Sequence, residues 1–216
     1  MAVTKKMSEI KAVNLTDISI VQNNVPKIKF KSNDLNLEIV NRIIKKDRLL
    51  INSLWDLYYS RFSSNDASAI LQCCFPTKEM FFRALFDEGY IKFILYQNKK
   101  IVAFAIAATT IEKALIGVIN PNFYQKFILN HPNKNFYYFI NICIELNTSA
   151  RIIKYMFENF LFYVFYQQKG IAAFDMSENN CPNMALVVEN LAKKYNLALS
   201  GGKMDSQITN IYWANL

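Results

Sequence analysis

Residues Phe136 to Phe174 constrain the fold more than any other part of the chain. Phe136–Glu145 is an almost unbroken apolar run of strand length, and about Ala150 to Gln168 is apolar at helical spacing with Gly170 at its end. Ile171–Phe174 is then a second short apolar run. A helix joining two buried strands of one sheet makes those strands parallel neighbours, related by a right-handed crossover. This excludes an all-helical bundle and an all-antiparallel sandwich.

The segments before the crossover point to antiparallel structure. Leu35, Leu37 and Ile39 alternate with polar residues as in a half-buried strand. Asp47 opens a helix in which Leu50, Leu54, Leu57, Tyr58 and Phe62 recur at three- and four-residue steps, and Pro76-Thr77-Lys78-Glu79 starts another that Gly89 ends. Tyr90–Tyr96 and Lys100–Thr110, joined by Gln97-Asn98-Lys99, read as a hairpin. Its second strand is apolar on both faces, so layers must cover both sides of the sheet. A turn or helix at Phe123–Leu129, a helix at Asn183–Tyr195 and a closing strand at Gln207–Ala214 complete the pattern. The expected fold is α+β, with a mixed, mainly antiparallel central sheet, a parallel strand-helix-strand crossover, and helices on both faces. Residues 1–34 are expected as an N-terminal arm, partly disordered or added as a strand, before one domain at 35–216.

Composition narrows the function. At 216 residues, 52% hydrophobic and 14% aromatic, the chain buries a sizeable core and is not a disordered tract. Its net charge of +8 comes mainly from scattered lysines, with no run of five basic residues and no nucleic-acid motif, which argues against nucleic acid as a partner. Cys73 and Cys74 are adjacent, no C-x-x-C occurs, and His131 is the single histidine, so no metal site is expected. The first residues lack a secretion signal's apolar core and no charge-free stretch has spanning length, which sets a cytoplasmic protein without membrane association as the expectation.

Four segments together resemble the GNAT superfamily of acyl-CoA-dependent N-acyltransferases across roughly residues 35 to 216. They are the hairpin FILYQNKKIVAFAIAATT, the segment INPNFYQKFILNHPNKNFYYFINICIEL, the helix after it, and IAAFDMSENNCPNMALVVENLAKKYNL. The resemblance implies acetyl-CoA or another acyl-CoA as co-substrate and an amine as acceptor. It implies that the two parallel strands part at their C-terminal ends and admit the pantetheine arm, which bonds the backbone at Cys143, Ile144 and Leu146. The diphosphate would sit on amides at the next helix N-terminus, carried here by Thr148, Ser149, Ala150, Arg151 and Ile152, with Asn179 and Asn180 near the donor.

The family writes that turn as Arg or Gln, two residues, Gly, one residue, then Gly or Ala, whereas this chain has no glycine between Gly117 and Gly170. Capping by Asn147, Thr148 or Ser149 is the plain alternative there. For chemistry, Glu145 is the candidate base, Glu112 the alternate, and Ser177, with Cys181, the candidate nearest the family's acid position. A surface carboxylate at a strand end is the plain alternative for each glutamate. Two other functions stay open: an enzyme taking its acyl group from acyl carrier protein, and a non-catalytic binding module. The helix from Ala150 is apolar almost all round, so its outer side needs cover from the N-terminal arm or from a second subunit in a homodimer.

Overall fold

The computed structural model describes residues 27–32, 34–62, 75, 77–114, 128–177, 184–195, 198–205 and 209–215. Among the described residues eight strands form one sheet: β1 (Lys27–Ser32), β2 (Leu35–Val40), β3 (Tyr90–Gln97), β4 (Lys100–Ala108), β5 (Phe136–Ile144), β6 (Ile171–Ser177), β7 (Ala198–Asp205) and β8 (Thr209–Asn215). Their spatial order is β1-β2-β3-β4-β5-β6-β8-β7, and every neighbouring pair is antiparallel except β5 with β6. The mixed α+β sheet with one parallel crossover is therefore what the sequence pattern implies.

The helices are α1 (Arg48–Phe62), α2 (Lys78–Phe86), α3 (Ile111–Ala114), α4 (Ala150–Leu161) and α5 (Met184–Tyr195). Asp47 Oδ1 accepts the Leu50 N–H at 3.2 Å and Thr77 Oγ1 accepts the Met80 N–H at 3.2 Å, so α1 and α2 begin where their capping residues stand. The β3–β4 connection is a two-residue turn in which Asn98 and Lys99 both have positive φ, of 48° and 69°, which matches the twist of a tight hairpin.

Two cores sandwich the sheet. On one face Leu37, Phe93, Ala105 and Phe139 pack with Phe157, Phe160 and Val164. On the other, Ile94, Phe104 and Tyr138 pack with Leu54, Tyr58 and Phe81 of α1 and α2. α5 of the same chain reaches α4. Leu191 and Ala192 join its core, and Lys194 bonds Glu158 at 2.6 Å. The large apolar side chains of α4 are buried or half-buried within the chain, and nothing among the described residues supports a homodimer.

Other expectations change in detail. Residues 27–32 form the added strand, while residues 1–26 and most of 123–129 lie outside the described residues. The strand expected at 171–174 extends to Ser177, the closing strand runs Thr209–Asn215, and an edge strand, β7, precedes it. The helix expected to run to Gln168 is α-helical only to Leu161, and Phe162–Gln167 is a π-helical turn. Gly170 does not carry a left-handed cap; Lys169 does, with φ 48°. Gly170 is needed for space, because a Cβ there would lie 2.7 Å from the Tyr137 ring and 2.9 Å from the Asn135 carbonyl oxygen.

Candidate active site

The parallel seam between β5 and β6 is short. Pairing runs from Phe136 with Ile171 to Phe139 with Phe174, after which β5 stays with β4 and β6 stays with β8. A bulge marks the parting, since Ile106 of β4 faces Asn141 while Ala107 faces Phe139, which leaves Ile140 as the extra residue. The Glu145 N–H donates to the Val102 carbonyl at 2.9 Å. Ladder alternation then turns the backbone groups of Cys143 toward β4 and those of Ile142 and Ile144 into the gap that β6 has left. Cys143 itself is a buried thiol in the α1-side core.

At the mouth of this gap the chain turns from β5 into α4. Asn147 takes the left-handed conformation, φ 61°, that a glycine would otherwise supply, and Leu146 is exposed. Thr148 closes the turn on itself, its N–H and Oγ1 both donating to the Glu145 carbonyl, at 3.3 and 2.6 Å. Ser149 is the N-cap residue but makes no side-chain cap bond. The Ile152 N–H is taken by the Ser149 carbonyl at 2.9 Å, and the Ile152 side chain is core. Of the five positions from Thr148 to Ile152, the amides of Ser149, Ala150 and Arg151 are therefore the ones left to meet an anion. The Arg151 side chain reaches Asp34, in the β1–β2 turn, at 2.9 Å. Asp34 is held below the usual carboxylate range first by the Gln97 amide and also by Arg151.

Glu145 leaves the strand end on the α1 side, partly exposed and ion-paired with Lys100. It borders a groove of about 760 Å³ that runs between α1 and the ends of β2 to β5, with Glu38, Asp47, Asp56, Tyr96 and Lys100 among its walls. Burial, with Glu38 and Asp47 nearby, raises the Tyr96 phenol above its ordinary range, so it stays a neutral hydrogen-bonding group.

The remaining candidates are not gathered here. Glu112 is not at a strand end but in α3, beyond Ala108, whereas Glu145 stands beside Val102. The six residue steps between those two β4 positions span roughly 20 Å. The Glu112 carboxyl is lowered first by its own backbone N–H and then by the Thr110 hydroxyl, as a helix-start carboxylate is. Ser177 is the last residue of β6, paired with Thr209, and Asn179, Asn180 and Cys181 lie outside the described residues. Among the described residues no cluster of three His, Cys, Asp or Glu side chains is placed to hold a metal ion, and no helix is long and apolar enough to cross a membrane.

Sequence reasoning passed over two other buried polar groups, Lys92 and Asn141, and the groove carboxylates Glu38, Asp47 and Asp56. Lys92 and Asn141 each interrupt an apolar strand with a single polar residue, a signal that was open to notice.

Solved structures that share this arrangement include acetyltransferases. An acetyltransferase of the GNAT family from Listeria monocytogenes aligns over 87% of this chain and 99% of its own, with a TM-score of 0.53 and 16% identity. The fold is that of the GNAT acetyltransferases. Diaminobutyrate acetyltransferase from Paenibacillus lautus, solved with L-2,4-diaminobutyric acid and coenzyme A, shares this GNAT fold over 85% of the chain and 96% of its own, at a TM-score of 0.51 and 10% identity. No family model and no curated protein matches the sequence.

Proposed function

We propose that the protein is an acyl-CoA-dependent N-acyltransferase that moves an acetyl or other acyl group to a primary amine. The observation that carries this reading is the parting of β5 from β6 after Phe139, with the N-terminus of α4 at its mouth. The gap is lined by inward-facing amide groups of Ile142 and Ile144, which suit the amides of a pantetheine arm and a thioester oxygen. The amides of Ser149, Ala150 and Arg151 suit the diphosphate. The carboxylates of the α1-side groove favour entry of an ammonium, and Glu145 is the base that takes its proton, directly or through water. The neutral amine then attacks the thioester carbon, and the tetrahedral oxyanion collapses to the amide and expels the thiolate, which collects the second amine proton.

The test is calorimetric or thermal-shift titration with acetyl-CoA and coenzyme A, beside a variant carrying Thr148→Trp and Ala150→Trp. Stabilisation of about 2.7 kcal/mol at a ligand concentration 100 times the dissociation constant, lost in the variant, supports the reading. L-2,4-diaminobutyric acid, the amine acted on by the Paenibacillus lautus enzyme, is a suitable first acceptor. One observation favours a second reading: Thr148 closes the turn and Asp34 occupies Arg151, which suits a donor without a nucleotide, such as acyl carrier protein. No response to either coenzyme A ligand, with acyl transfer from a carrier protein, would establish that alternative.

A further inference from the structure

Among the described residues three polar side chains are buried, Lys92, Asn141 and Asn159. Two of them are satisfied. Lys92 Nζ donates to the carbonyls of Asn41, Asp87 and Tyr90 at 2.6, 2.6 and 2.8 Å, and Asn159 Nδ2 donates to the Tyr155 carbonyl at 2.7 Å. Among the described residues four enclosed side-chain oxygens lack a hydrogen-bond partner, those of Asn36, Asn141, Tyr155 and Gln167, and Asn141, 5% exposed, is the one of these residues that is itself buried. Its Nδ2 has only a soft contact, 3.7 Å to Cys143 Sγ. A leucine of similar shape would fill this place without stranding an acceptor, so the amide oxygen is a standing cost to the fold.

The location of that oxygen gives the cost a purpose. Asn141 follows the bulged Ile140 and lies two residues past Phe139, the last residue of β5 paired to β6. Strand alternation puts Asn141 on the same face as Cys143 and Glu145, toward α1, while Ile142 and Ile144 face α4. An acceptor atom thus stands just past the last β5–β6 pair, on the α1 face of the sheet that also carries Glu145 and the groove it borders.

Building on the acyltransferase reading above, we propose that Asn141 positions the attacking amine, its Oδ1 accepting one N–H so that the nitrogen lone pair is turned toward the acyl carbon in the gap. The soft thiol contact lets the amide turn toward an arriving amine, and the closed surroundings keep water from the thioester. Asn141 and Glu145 are four residues apart, roughly 13 Å of strand, and so act in sequence. Glu145 takes the proton of the ammonium in the groove, and Asn141 receives the neutral amine.

The test uses the full chain with Asn141→Leu and Asn141→Asp. It reads melting temperature, acetyl-CoA affinity by calorimetry, and thiol release with methylamine as acceptor, an amine small enough to reach any site that a primary amine can. Expected for Asn141→Leu are an equal or higher melting temperature, unchanged acetyl-CoA affinity, and kcat/KM for methylamine reduced roughly 10- to 100-fold. Asn141→Asp keeps the acceptor oxygen, so it retains most of the rate and gains a pH dependence in which activity rises as the new carboxyl ionises. The proposal is overturned by a lower melting temperature for Asn141→Leu, by an unchanged methylamine rate, or by a loss in Asn141→Asp as large as in Asn141→Leu. Wild-type protein that binds acetyl-CoA and leaves methylamine unacylated also overturns it, with the donor site left standing. Wild-type protein that fails to bind acetyl-CoA overturns the acyl-CoA reading itself.

Discussion

Two places on the α1 face of the central sheet, in one row across β3, β4 and β5, handle polar groups in opposite ways. Where α2 meets β3, the polar groups of Lys92, Asp87 and Tyr90 are all answered. Lys92 reaches three carbonyls, Asp87 is bonded to Lys113 and accepts the Gly89 N–H at 2.7 Å, and Tyr90 donates to the Lys113 carbonyl at 3.1 Å. Where β5 leaves β6, an amide oxygen has no partner and two strands have lost their ladder. The sheet is one continuous structure of eight strands, so the contrast is not one of general packing quality. It separates a region that the fold uses to hold itself together from one held ready for something else.

Substitutions at the two places should therefore dissociate stability from activity. Lys92→Met keeps the side-chain length and removes the donor. It strips the buried Tyr90 carbonyl and the half-buried Asn41 carbonyl of the ammonium, while the Asp87 carbonyl keeps the Tyr90 N–H, and should cost about 1–3 kcal/mol of stability, measured by urea unfolding, with turnover per folded molecule unchanged. Glu145→Gln should do the reverse. It removes the base and lowers turnover about 100-fold or more, while stability moves by less than about 1 kcal/mol, because its ion pair with Lys100 is at the surface. A stable, inactive Lys92→Met or an unstable, active Glu145→Gln would break the comparison.

Acidity sharpens the same contrast by a smaller amount. Burial lowers the Lys92 ammonium from 10.5 to about 7, with Asp87 and then Glu88 pulling it partly back. Between those values the unfolded chain holds a proton that the folded chain has released. The wild-type contribution from this group therefore rises with pH across the window, by at most about 1.4 kcal/mol per pH unit. It is lowest below pH 7, where both states are protonated. Unfolding measured at several pH values should show the gap to Lys92→Met widening from pH 7 upward; a constant gap would mean that Lys92 keeps its proton throughout.

How much of this was legible in the sequence follows from which interactions are local. The crossover was legible because strand, helix and strand each carry their own periodicity and Gly170 separates the last two. The π-helical turn was not, because Phe162-Tyr163-Val164-Phe165-Tyr166 is apolar throughout and offers no polar face to reveal the period. The strand Ala198–Asp205 contains Gly201 and Gly202 and is held as an edge by pairing with β8, so its local propensity is poor. The parting of β5 from β6 depends on β8 taking the other side of β6, some 35 residues later in the chain. A single sequence can suggest that parting only through a family resemblance. Asn141 was visible in principle, as the one amide in FYYFINICI that an unbroken buried strand has no use for.

The smallest expected effect concerns the mouth of the gap, where the two kinds of region meet. Arg151 stands at the start of α4, where the helix favours an anion, yet its guanidinium is engaged by Asp34 from the β1–β2 turn. If the diphosphate of the donor binds there, it must compete with that carboxylate for the same guanidinium. Asp34→Asn removes the competitor and leaves the Gln97 contact a neutral partner. The dissociation constant for coenzyme A should then fall a few-fold, with the difference shrinking at high salt as exposed charges are screened. Calorimetry with coenzyme A, set beside dephospho-forms and free pantetheine, reads this directly. Tighter binding of coenzyme A and no change for pantetheine would place the diphosphate at Arg151. An equal gain for pantetheine would show that Asp34 shapes the entrance sterically, and that the end of the sheet nearest the ligand is kept closed by the edge strand and not opened by it.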